Sequence, residues 1–106
     1  MCNTVILSTQ GETTIRSCIN CKVFYLWHNN LLLTFKDKAF SAFYDVVEAM
    51  SFHKNCLPFP DDEDRVILHT PNDDICFAFK VDEFELFKEA MTEALYMNSV
   101  YALMRL

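Results

Sequence analysis

The stretch Phe35-Lys36-x-x-x-Phe40-x-x-Phe43 returns 44 residues later as Phe79-Lys80-x-x-x-Phe84-x-x-Phe87. At the same spacing Val23 falls on Ile67, Phe24 on Leu68, Leu31 on Ile75 and Leu33 on Phe77, apolar on apolar throughout. Self-similarity at a fixed period marks a repeated supersecondary unit, because one small unit cannot bury its apolar face alone. The pattern predicts a duplicated module of two strands and a helix, over 22–50 and 65–106. A linker at 51–64 joins the copies, and an N-terminal hairpin and turn at 1–21 precedes them. All of it reads as a single domain, 1–106.

A chain of 106 residues with 52% apolar residues and ten Phe can bury a core without metal or disulfide support. With one Gly and three Pro, tight turns must rest on Asn and Asp, which tolerate left-handed backbone. The net charge of −6 repels phosphate backbones and anionic membranes, which argues against nucleic-acid binding. No basic segment precedes an apolar run at the N-terminus, and no apolar run approaches the roughly 18 residues of a membrane span. Five cysteines, an odd number, fit reduced thiols and a cytoplasmic setting.

Along the chain, Asn3 to Ser8 and Glu12 to Ser17 read as a hairpin turned at Gln10-Gly11. Lys22 to Trp27 and Leu31 to Phe35 form a second hairpin, turned at His28-Asn29-Asn30. Val23, Tyr25 and Trp27 lie on one side of its first strand and Phe24 and Leu26 on the other. A strand apolar on both faces is expected to be central or covered by a second subunit. The helix from about Asp37 to Met50, with Asp37 as its N-cap, carries Phe40, Phe43, Val47 and Met50 at helical spacing. Arg65 to Thr70 and Ile75 to Lys80 make the third hairpin. The last helix runs from about Asp82, and its end is apolar all round, which calls for burial. Leu95, Val100, Tyr101, Leu103 and Met104 are therefore expected to form a homodimer surface, with the apolar sheet face as the alternative.

Cys18-Ile19-Asn20-Cys21 is the one chemical motif, spaced so that two thiolates reach one soft metal ion from a tight turn. A closed site needs four ligands, and hairpin pairing makes Cys2 the third candidate. Cys2, Cys18 and Cys21 are thus the candidate metal ligands, with zinc the implied ion. A redox dithiol is the competing reading, but such thiols sit at a helix start and here a strand follows. Reduced cysteines with no chemistry complete the alternatives. Asp61-Asp62-Glu63-Asp64 has hard-cation ligands without the Gly and final Glu of an EF-hand loop. Three scattered histidines suggest no triad, and one Gly excludes the dinucleotide and phosphate-loop fingerprints.

The layout Cys2…Cys18-x-x-Cys21, an apolar hairpin and a Phe40-x-x-Phe43 helix resembles an uncharacterised family of small bacterial proteins. That family tends to show C-x-x-C-G, and this chain has Lys22 at the Gly position. The resemblance implies one compact domain and carries no activity. The expected fold is α+β: an antiparallel sheet of about six strands in the order β-β-β-β-α-β-β-α, with both helices on one face. The expected function is non-enzymatic, through self-association or protein contacts, with a zinc-binding protein as the alternative. A pocket between the two copies is where an enzyme would keep its site.

Overall fold

The computed structural model describes residues 3–18 and 20–104. Its elements are β1 (Thr4–Gln10), β2 (Thr13–Cys18), β3 (Val23–His28), β4 (Leu31–Lys36), α1 (Asp37–Ala49), the one-turn α2 (Phe52–Asn55), β5 (Leu57–Pro58), β6 (Asp64–His69), β7 (Cys76–Phe79) and α3 (Val81–Met104). The class is α+β, as the patterning implies. None of the helices is long and apolar enough to cross a membrane.

The single six-stranded sheet is not formed. β1-β2-β3-β4 make one antiparallel meander and β5-β6-β7 a second, three-stranded sheet. The physical reason lies at β6: one edge takes β7, and the other takes Leu57 and Pro58 of β5, opposite Arg65 and Asp64. β5 thus takes the start of the β6 edge that β7 leaves free. A hairpin followed by a helix does occur twice in the order of elements, but the pairings differ. Phe35 faces Phe24, whereas Phe79 faces Val66 and not Leu68, the residue 44 positions after Phe24.

The four-stranded sheet sorts its side chains by alternation. Ile15, Leu26 and Leu33 stand in one cross-strand row on the inner face, and Ser17, Phe24 and Phe35 in the next. In β1 the register shifts between Ile6 and Ser8. That bulge turns both Leu7 and Ser8 inward, where each is buried. Both helices cover this inner face. Phe40 of α1 stacks on Phe24 at 4.1 Å between ring centroids. From β1, Ser8 Oγ donates to the carbonyl of Ala90 in α3 at 2.7 Å, so its buried hydroxyl is satisfied.

The turns follow the composition with one exception. Gly11, at φ +57, and Glu12 form the first turn, one residue later than the Gln10-Gly11 expectation. Asn29 and Asp62 also take positive φ, in keeping with their tolerance of it. Lys22, at φ +55, is the exception. At α1 the N-cap is Lys36, without a side-chain cap, and Asp37 is the first helical residue. Its carboxylate there faces the positive end of the helix dipole. Lys88 Nζ of α3 donates to the Met50 carbonyl at 3.0 Å and so holds the other end of α1.

Phe87 on α3 is the hub. It is fully buried, and its ring meets Phe43 of α1, His28 of β3, and Phe77 and Phe79 of β7. Phe87→Ala should cost about 3–5 kcal/mol in a urea unfolding titration, because the cavity opens where both sheets and both long helices meet. A loss below about 1 kcal/mol would show that the hub does not carry this packing.

Candidate functional site

The outer face of the four-stranded sheet is built by the residues that alternate with the core. Trp27 and Leu32 are a directly opposed pair on β3 and β4, with Thr14 beside Trp27 on β2. The next row brings Ile6, Arg16, Tyr25 and Thr34 together. Trp27 is 56% exposed, Leu32 60% and Ile6 50%, values at which large apolar side chains remain in water. Thr14, Arg16, Tyr25, Trp27 and Leu32 line a shallow groove of about 340 Å³. Arg16 lies along it, donating from Nη1 to Thr4 Oγ1 at 3.2 Å. Sequence reading placed Tyr25 and Trp27 on one face and expected the strand to be central or covered. β3 is internal to its sheet, and on its outer side Trp27 is exposed while Tyr25 is half-buried.

Charge on this face runs against the rest of the chain. The outward positions of the four strands hold Arg16 and Lys36 and no carboxylate, in a protein of net charge −6. An apolar groove with a guanidinium in its floor can take an apolar side chain and a carboxylate together.

The C-x-x-C turn lies at the end of the same sheet. Cys18 is buried at the end of β2 and Cys21 is exposed. The Cys21 backbone N–H donates to Cys18 Sγ at 3.4 Å, and the Lys22 N–H to the Cys18 carbonyl at 3.0 Å. Lys22 takes the left-handed backbone that a Gly would adopt there at lower cost. Cys2 lies outside the described residues, and Thr4 stands opposite Cys18. Among the described residues no group of three or more His, Cys, Asp or Glu side chains is arranged to hold a metal ion. In the acidic run, Asp61 is taken by Arg65 through two hydrogen bonds of 2.9 Å. That pairing brings the Asp61 carboxyl down to about 2.

Between the two hairpins lies a cleft of about 230 Å³ lined by His28, Phe77, Phe79 and Glu83. His28 Nδ1 shares a 2.8 Å hydrogen bond with the buried Thr13 hydroxyl. The imidazole edge meets Phe77 and Phe79 at 5.5 and 5.1 Å. Burial among these rings lowers its pKa, against the opposing pull of Glu83 and then Glu12. Glu83 Oε1 itself accepts the Lys80 N–H at 2.8 Å and caps α3.

At the C-terminal end of α3, Leu95, Val100 and Tyr101 are half-buried, while Leu103 and Met104 are 70% and 73% exposed. The burial expected of an all-round apolar helix end is therefore incomplete in the single chain. One juxtaposition was missed from sequence: Cys76 Sγ and His69 Nδ1 lie 3.2 Å apart across the third hairpin. Only the pairing of His69 with Cys76 at the hairpin mouth brings them together.

Comparison with family models, curated proteins and solved structures finds no match to this chain.

Two outcomes test this geometry. Replacing Lys22 with Gly should raise stability by about 1 kcal/mol in urea titration, by removing the Cβ from a left-handed residue. With the His28 pKa held below its ordinary 6.5, the unfolded chain takes up the proton first as pH falls. The stability from the neutral imidazole is complete above that value and declines as pH falls through it towards the folded-state pKa. The urea midpoint should therefore be lower at pH 5.5 than at 7.5, and His28→Gln should narrow the difference.

Proposed function

We propose that this chain is a non-enzymatic protein-contact module whose outer sheet face docks a partner protein. The observation that carries the reading is the directly opposed pair Trp27 and Leu32, each more than half exposed on the outer sheet face near the β3–β4 turn. Tryptophan and arginine are the residues in which binding energy concentrates, and Arg16 lies in the same groove. The partner chemistry follows from the charge: a segment with apolar side chains flanked by carboxylates. A second copy is the poorer occupant, because each chain carries −6 and an isologous pairing would bring together two copies of a face that holds Arg16 and Lys36 and no carboxylate. Reduced cysteines and the acidic balance fit a cytoplasmic setting for such contacts.

Trp27 is the only tryptophan, so its emission reports on this face directly. Peptides selected from a displayed random library should combine apolar and acidic residues and shift the Trp27 emission to the blue. Leu32→Ala and Arg16→Glu should each weaken them about tenfold or more with the melting temperature unchanged. Selection that is indifferent to both substitutions would overturn the reading. Sedimentation equilibrium showing a dimer broken by Leu103→Ser and Met104→Ser would move the contact to the C-terminal helix instead.

A specific feature favours a second reading, a soft-metal site. The Cys21 N–H to Cys18 Sγ bond and the left-handed Lys22 are the backbone arrangement that a two-thiolate knuckle uses. Cys18 and Cys21 would supply two ligands and Cys2 a third, with zinc the fitting ion. Elemental analysis of protein purified without added metal should then find about one zinc per chain. Metal-free protein that takes up no zinc would end this reading.

A further inference from the structure

The mouth of the third hairpin holds a thiol and an imidazole that neither reading above uses. Cys76 and His69 are the last paired residues of β7 and β6 and are both exposed. Cys76 carries a free thiol, 3.2 Å from His69 Nδ1.

The loop that closes the hairpin keeps them there. Thr70 is buried, and its Oγ1 donates to the Ile75 carbonyl at 2.7 Å while accepting the Asn72 N–H at 3.1 Å. The Thr70 N–H also donates to the Ile75 carbonyl, and the Ile75 N–H to that of Asn72. His69 and Cys76 immediately flank this bonded loop as a cross-strand pair, so the backbone keeps the two side chains within reach of each other.

We propose that Cys76 is a thiol–disulfide exchange site for small disulfides, with His69 as its proton acceptor. The Cys76 S–H proton passes to His69 Nδ1, and the thiolate attacks one sulfur of the incoming disulfide. A Cys76–S–S–R bond forms as the R–S–S–R bond breaks. The second sulfur leaves as a thiolate and takes the proton from the imidazolium, so one disulfide is consumed and one made, with no other oxidant. Charge in this exchange is spread along three sulfurs, so an exposed thiol with a fixed base meets its needs.

Cys21, which is also exposed and lies in the turn after β2, provides the internal comparison. Reduced full-length protein would be mixed at pH 7 with excess 4,4′-dithiodipyridine, a neutral disulfide, and quenched with acid over time. Mass spectrometry of the digested peptides then gives a rate for each cysteine. Cys76 should react about fivefold or more faster than Cys21. His69→Gln should lower the Cys76 rate about fivefold or more while leaving the Cys21 rate unchanged.

Equal or slower reaction at Cys76 in the wild-type chain would overturn the proposal. So would an undiminished Cys76 rate in a His69→Gln protein that keeps its melting temperature. Should that variant lose its fold, the wild-type ranking of Cys76 against Cys21 still decides.

Discussion

Phe87 stands where α3 meets α1 and both sheets, through Phe43, His28, Phe77 and Phe79. Two separate sheets each present one apolar face, and neither could stay folded with that face in water. α3 serves both: Ala90 receives Ser8 from the larger sheet, while Phe87 and Phe84 receive Phe79 from the smaller. His28 is the polar member of this packing. It extends the β3–β4 hairpin into the rings of β7, and its hydrogen bond to Thr13 lets an imidazole be carried inward.

Both helices lie on the same side of the larger sheet, and on its other side Ile6, Trp27 and Leu32 are exposed among the described residues. The alternation that sends Phe24 and Leu26 to the core necessarily sends Tyr25 and Trp27 out. A sheet of this kind ordinarily carries polar residues on its open side. Here the open side keeps Ile6, Trp27 and Leu32, residues the core does not need, and that surplus is what supports a contact surface.

The groups able to do chemistry lie at the ends of hairpins and not in a common pocket. Cys18 ends β2 and Cys21 lies in the turn that follows, whereas His69 and Cys76 flank the loop after β6. At the second place strand pairing holds the two residues in register, which is how a small domain can position reactive groups without a deep cleft. The cleft between the hairpins has a different character, since His28 and Glu83 there are already committed to Thr13 and to the start of α3.

Much of this architecture was legible in the residues. Strand alternation in the first two hairpins, the helical spacing of Phe40, Phe43 and Val47, and the burial of Phe84 and Phe87 are local consequences of periodicity, and local periodicity is written in order along the chain. The strand β3, apolar on both faces, was expected to be central or covered by a second subunit; it is internal to its sheet, and Trp27 on its outer face is exposed. Pairing was not legible. The split into two sheets depends on Leu57 and Pro58 occupying an edge of β6, and a two-residue strand has no pattern to read. The approach of His69 to Cys76 depends on a loop whose length sets the hairpin register. Sequence by itself therefore determined the three hairpins and two long helices and which of their faces are apolar, while α2 and β5 lay within what reads as a linker. Only the tertiary structure decided which edges join, which apolar face is left open and which thiol meets an imidazole. Those outcomes come from contacts between distant segments, where free energies of competing pairings differ by little and no single stretch carries the difference.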